Sequence, residues 1–251
     1  MEKEIFFAND RDEILHGILF APEKFLAGVA VCHGFAGRCD TLNKRGWARA
    51  LAAKGFAVLL FDCAGHGKSE GEYRSNTISR EAGDAHCALE RLRELGCGKL
   101  GLVGHSMGGI VALIEGNRNA DVKAVALVAA PFHLPKYPDA LFGEAGRKWK
   151  EHGVLEFVDD GRKLQLDYGY KRDQQKYDAA KLAHGLKKPL LVLHGSADNI
   201  VPIEEATQFY AHAAEPKELR VIEGGDHGPY GAKQRAEAEK ALTEFFEKRL
   251  A

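Results

Sequence analysis

Gly101-Leu102-Val103-Gly104-His105-Ser106-Met107-Gly108-Gly109, continued by Ile110-Val111-Ala112-Leu113-Ile114, runs from a short buried-type strand through a G-x-S-x-G pattern straight into an apolar helix. In that setting the serine sits on a sharp turn at the carboxyl edge of a sheet, and small flanking residues let the backbone fold tightly enough to present its hydroxyl. A second match, Gly67-Lys68-Ser69-Glu70-Gly71, trails the strand ending at Asp62 by several residues, and the next helical pattern starts only near Thr77. Ser69 therefore lacks the strand-turn-helix context and reads as a turn serine. With five serines in the chain, two matches exceed chance, so context has to separate them.

Outward from Ser106, short apolar runs alternate with helix-patterned stretches, the signature of a mostly parallel sheet covered by helices. The runs are Gly28 to Cys32, Phe56 to Asp62, Leu100 to Val103, Ala124 to Ala129, Pro189 to His194 and Leu219 to Glu223. Helices are expected from Arg45 to Lys54, Thr77 to Leu95, Met107 to Asn117, Ile203 to Ala213 and Ala232 to Leu250. Glu4 to Ala8 and Glu13 to Phe20, joined by Asn9-Asp10-Arg11-Asp12, read as an antiparallel hairpin. From Phe132 to Leu186 no clean strand is visible, and aromatic residues are scattered among charges and glycines. So long a stretch between core strands reads as an inserted cap over 132–186, with 1–131 and 187–251 forming the core.

The 251 residues are 45% hydrophobic, enough for a large core, and 35 Lys+Arg against 36 Asp+Glu leave a formal charge of -1. Without a basic field, nucleic acid and anionic membrane are not expected partners. Five cysteines without regular spacing point to reduced thiols. Met1 to Phe7 lack the basic start and apolar stretch of a secretion signal, and no apolar run reaches the roughly 20 residues that span a bilayer. A cytoplasmic location is expected.

A serine hydroxyl needs a base to take its proton, and the base needs an orienting acid. With a nucleophile elbow these come later in the chain, acid before histidine. Asp198 follows the Pro189 to His194 strand, and His227 follows the last strand, so both share a sheet edge with Ser106. His33, His105 and His194 adjoin strand ends and glycines and read as hydrogen-bonded turn residues, while Asp62 precedes the serine and breaks the order. The oxyanion hole is assigned to the backbone N–H groups of Met107 and Phe35, the latter in the loop after the Gly28 to Cys32 strand. A zinc site from Cys32, His33, Cys39, Cys63 and His66 is disfavoured by its spacings. No metal or organic cofactor is expected.

His33-Gly34-Phe35, Asp62 to Gly71, Gly104 to Gly109, His194 to Asp198 with Val201-Pro202, and Asp226-His227 together resemble the α/β-hydrolase family over essentially the full length. The resemblance implies a mostly parallel, eight-stranded α/β sheet with a small lid inserted after the sixth strand, and makes Gly65 to Gly71 a structural turn. Within the family the chain is most similar to small-lid carboxylesterases, including feruloyl and cinnamoyl esterases, and more loosely to monoacylglycerol lipases and serine aminopeptidases. By that likeness Asp139 is the lid aspartate facing a phenolic group, although Met107 stands where those enzymes commonly carry glutamine. The nucleophile position excludes a dehalogenase, which would want aspartate there, and a dienelactone hydrolase, which would want cysteine.

The expected activity is cleavage of a small carboxylic ester, short-chain or aryl, through an acyl-enzyme. Phe132, Tyr137, Phe142, Trp149, Phe157, Tyr168 and Tyr170 are candidates to line its pocket. A serine aminopeptidase is the alternative, its ammonium held by acids such as Glu144, Glu151, Glu156, Asp159 or Asp160. A non-catalytic ligand-binding fold is the least favoured. The sequence leaves the oligomeric state open, a homodimer included.

Overall fold

The computed structural model of the chain describes residues 1–25, 27–228 and 231–250. In chain order the strands are β1 (Glu2–Ala8), β2 (Ile14–Phe20), β3 (Ala27–Cys32), β4 (Phe56–Phe61), β5 (Leu100–His105), β6 (Val122–Val128), β7 (Val154–Asp159), β8 (Arg162–Asp167), β9 (Leu190–Gly195) and β10 (Lys217–Ile222). The helices are α1 (Leu42–Ala53), α2 (Ile78–Glu94), α3 (Met107–Arg118), α4 (Tyr137–His152), α5 (Gly169–Gln174), α6 (Ala179–Gly185), α7 (Ile203–His212) and α8 (Ala232–Leu250).

Among the described residues eight strands form one sheet in the order β1-β2-β4-β3-β5-β6-β9-β10. The β1–β2 and β2–β4 pairings are antiparallel and all others parallel. This is the α/β-hydrolase fold. The central strands are apolar throughout because helices cover both faces. Ala30, Cys32 and Leu102 face the core under α2 and α3. Val29, Val31 and Val103 face Trp47 of α1 and Phe245 and Phe246 of α8. Each of those large side chains, fully buried, contributes about 1.5–3 kcal/mol.

Sequence and structure part company between β6 and β9. This segment carries α4, α5 and α6, and β7 and β8 pair there as a separate antiparallel hairpin where no strand was expected. Its turn is Asp160-Gly161, both at positive φ (46° and 75°), the conformation that fits the twist of a two-residue hairpin and favours Asp-Gly. Leu155 and Leu166 are buried beneath it. Strict alternation fails in Val154-Leu155 and Phe157-Val158 because one face is only half covered, and that concealed the strand from a period-2 reading. Among the described residues, no helix is long and apolar enough to cross a membrane.

Candidate active site

Ser106 sits between the end of β5 and the start of α3 at φ 53° and ψ -124°, a strained conformation for a residue with a side chain. Glycines make it attainable: a Cβ on Gly104 would stand 2.2 Å from the Gly108 carbonyl oxygen, and one on Gly108 2.3 Å from that of His33. The turn is further fixed by the Ser106 N–H donating to Val128 O (2.8 Å) and the Gly109 N–H donating to Ser106 O (2.8 Å).

The loops after β9 and β10 are brought together by a close backbone approach. A Cβ on Gly195 would lie 2.2 Å from the Gly225 carbonyl oxygen. The Ala197 N–H donates to Gly225 O (2.8 Å), and the Gly224 N–H to Ser196 Oγ (2.9 Å). The result is a continuous chain: His227 Nε2 lies 3.0 Å from Ser106 Oγ, and His227 Nδ1 lies 2.9 Å from Asp198 Oδ2. Asp198 Oδ1 accepts from the Ile200 and Val201 amides at 2.9 and 2.8 Å. Burial opposes the Asp198 charge, yet hydrogen bonding from His194 and His227, the His227 charge and the Val201 amide hold the carboxyl far below the usual carboxylate range.

The other histidines near this edge are structural, as their glycine-rich settings imply. His33 Nδ1 donates to Gly34 O (2.9 Å), and its Nε2 accepts from the Cys63 amide (3.1 Å). His194 Nε2 donates to Val201 O (2.8 Å), and His105 Nε2 donates to His227 O (3.0 Å), securing the backbone of the imidazole that faces Ser106. Burial pushes His33 down to about 4, His66 to about 3, and His105 well below its ordinary value, so all three are neutral near pH 7. Ser69 is occupied elsewhere: its Oγ donates to Asp62 O (2.6 Å) and accepts from the His16 amide (2.9 Å).

The five residues weighed as a zinc site do not converge as a set. Among the described residues, the group close enough to share a cation is His16, Cys39 and Asp62, all buried. The Asp62 carboxylate already accepts from the Cys39 amide (2.7 Å), the Lys68 amide (3.1 Å) and His16 Nδ1 (2.9 Å), closing the Gly65 to Gly71 turn. All five cysteines are free thiols.

Beside Ser106 lies a mostly apolar cavity of about 40 Å³ whose walls include Phe35, Met107, Leu141, Phe142, Trp149 and Tyr170. The Met107 N–H belongs to the first turn of α3, where amides have no partner within the helix. The Phe35 ring packs on Phe142, Phe157 and Tyr170 at 5.6–5.9 Å. Of the expected lining aromatics, Tyr137, Phe142, Trp149 and Tyr170 reach the cavity. The others do not line it: Tyr168 meets Trp149 edge-on, Phe157 stacks on Phe35, and Phe132 turns toward Phe209. Asp139 is also outside, half-exposed and paired with Lys171 Nζ at 3.0 Å.

Two buried polar residues, one on the cavity wall and one anchoring the segment that covers it, escaped sequence reasoning. Gln174, at the end of α5, lines the cavity. Glu205 of α7 is buried and accepts from the Phe132 amide (2.6 Å), the His133 amide (2.7 Å), His133 Nδ1 (2.9 Å) and Lys136 Nζ, tying down the start of the 132–186 segment. The only sequence hint for Glu205 was an acidic residue in the first turn of a helix, which ordinarily faces water.

A family model described as serine aminopeptidase, S33 (Hydrolase_4), matches residues 23–180 and 161–233. The chain belongs to this family. It is 24% identical over 245 residues to YqkD of Bacillus subtilis, covering 93% of this chain and 75% of that protein. It is also 24% identical to a protein of Mycoplasma pneumoniae named putative esterase/lipase 2, covering 84% of this chain and 86% of that one. The chain spans 62–66% of the length of several other curated relatives it matches. Est1E of Butyrivibrio proteoclasticus, solved with ferulic acid bound, is similar with a TM-score of 0.86 at 23% identity, over 98% of both chains.

Proposed function

We propose that this chain is a serine carboxylic-ester hydrolase. The observation that carries the reading is the hydrogen-bonded line Ser106–His227–Asp198, with contacts of 3.0 and 2.9 Å. Ser106 Oγ attacks the ester carbonyl carbon as His227 Nε2 takes its proton. The Phe35 and Met107 amides receive the developing oxyanion. His227 then protonates the departing alcohol, leaving an acyl group on Ser106. Water attacks that acyl-enzyme with His227 as base, the acid leaves, and Ser106 regains its proton. Asp198 holds the imidazole with its proton on Nδ1 and balances the charge it acquires.

The aromatic and aliphatic cavity fits the acyl side, and favours short or aryl groups. At about 40 Å³ it is far below the ~300 Å³ of a typical ligand site, so binding requires the 132–186 segment, acting as a lid, to shift around Leu141 and Phe142. The family description and the aminopeptidase alternative call for a carboxylate to hold a substrate ammonium. Among the described residues lining the cavity there is none. Glu144, Glu151, Glu156 and Asp160 are exposed, and Asp159 pairs with Arg162. The ferulate held by Est1E and the aromatic walls support aryl esters, with Asp139 standing outside the cavity and paired to Lys171.

The test compares p-nitrophenyl esters from acetate to laurate and methyl ferulate with aminoacyl p-nitroanilides. Ester turnover with little or no anilide turnover is expected; preferential anilide cleavage would overturn the assignment.

A further inference from the structure

The cavity beside Ser106 is apolar except at a few points, and Gln174 is the most unusual of them. Its side chain is buried, at 1% exposure, and neither Oε1 nor Nε2 has a hydrogen-bond partner among the described residues. Burying a carboxamide with both polar atoms unmatched is costly, and such groups are found where a ligand or ordered solvent completes them. Gln174 is also held firmly in place. Its neighbour Asp173 anchors α5 to the start of α2 by accepting from the Ser79 amide (2.8 Å) and Ser79 Oγ (2.7 Å), and the Gln174 carbonyl accepts the Tyr177 amide (3.1 Å). Trp149 offers no competing donor, because its indole N–H is spent on Leu166 O (3.0 Å); the Tyr170 hydroxyl, buried and without a partner among the described residues, is another polar group on this lining.

Resting on the esterase reading, we infer that Gln174 is a specificity-determining residue that selects acyl groups with an apolar body and a neutral hydrogen-bonding end, such as a hydroxyl. The walls supply the chemistry for the body: Phe35, Phe142, Trp149 and Met107 offer hydrocarbon and aromatic faces. The carboxamide supplies one donor group and one acceptor, and a hydroxyl can use either. Charged ends are excluded, since the described lining residues include no Lys, Arg, Asp or Glu to pair with them.

The experiment uses two p-nitrophenyl esters that differ by one isosteric group: 3-(4-hydroxyphenyl)propanoate and 3-(4-methylphenyl)propanoate. For the wild-type chain, kcat/KM is expected to favour the hydroxyl by about tenfold, the size of one hydrogen bond made in a dry site. In Gln174→Met the preference should vanish or invert toward the methyl ester. A wild-type ratio at or below one, or a preference that survives Gln174→Met, overturns the inference. Should Gln174→Met fail to fold, Gln174→Leu takes its place with the same expected outcome, and a wild-type ratio at or below one refutes the inference without any variant. Hydrolysis of p-nitrophenyl acetate by the wild type separates the outcomes: acetate turnover with no hydroxyl preference refutes only the role of Gln174. Absence of turnover on every ester overturns the esterase reading and this inference with it.

Discussion

Replacing Asp198 with asparagine tests the proton relay without emptying the site. The two oxygens of Asp198 have different duties: Oδ1 accepts from the Ile200 and Val201 amides, and Oδ2 faces His227 Nδ1. Asparagine keeps one acceptor oxygen and gains two N–H donors. Turning its NH2 toward Ile200 and Val201 would leave the buried Val201 amide unmatched at about 1–3 kcal/mol and the part-buried Ile200 amide without its acceptor as well, more than the single bond to His227 returns. The oxygen therefore stays with the backbone amides and the NH2 faces Nδ1. The imidazole must then carry its proton on Nε2, pointing at Ser106 Oγ, where it can no longer accept one. The expected loss in kcat is about 10⁴-fold, or roughly 5 kcal/mol of transition-state stabilisation. The assay is p-nitrophenyl acetate hydrolysis, with circular dichroism to confirm the fold. Asp198 also contributes stability above its unfolded pKa of about 3.9 that is lost as the pH falls, so any Tm difference from wild type should shrink in acid. A folded Asp198→Asn with kcat within tenfold of wild type would refute the relay.

Ser69→Ala should leave ester turnover within about threefold of wild type. It should also lower stability by about 1–3 kcal/mol, because Asp62 O and the His16 amide lose their partner; a collapse of turnover in a folded variant would show that the wrong serine has been assigned. Glu205→Gln reports on the anchor of the 132–186 segment. Burial opposes the charge, but Lys136, His133 and the two backbone amides hold the Glu205 carboxyl down to about 2. Against an unfolded value near 4.3, the ionised form adds roughly 2–3 kcal/mol of stability that is full above that pH and lost as pH falls toward 2. At pH 7 the variant should melt about 5–10 °C lower, with the gap closing below pH 4. A gap that stays constant from pH 7 to 3 would contradict the linkage.

Much of the Ser106–His227–Asp198 arrangement was readable because its determinants are local or follow from topology. Gly104 and Gly108 announce a turn that only a strand entering a helix requires. Asp198 and His227 could be placed because parallel strands bring their following loops to one edge. Ser69 was separable from Ser106 by the same criterion. Failures cluster where tertiary contact decides. The β7–β8 hairpin is half covered, which blurs its alternation, although Asp160-Gly161 marked the turn. The burial of Glu205 depends on backbone amides over 70 residues away in sequence, and a glutamine ending a short helix gives no hint that it will line a mostly apolar cavity. Asp139 is expected from family likeness and Tyr168 from the scatter of aromatics in the segment, and neither lines the cavity: Asp139 of α4 pairs with Lys171, and Tyr168, between β8 and α5, packs edge-on against Trp149.

The central claim is that Ser106 is the nucleophile made reactive by His227 and Asp198. Reaction with a fluorophosphonate, followed by peptide mapping, tests it most directly. A single adduct on Ser106, absent in Ser106→Ala and formed orders of magnitude more slowly in His227→Ala, is the predicted result. An adduct on another residue, or no adduct on the folded protein, would contradict it.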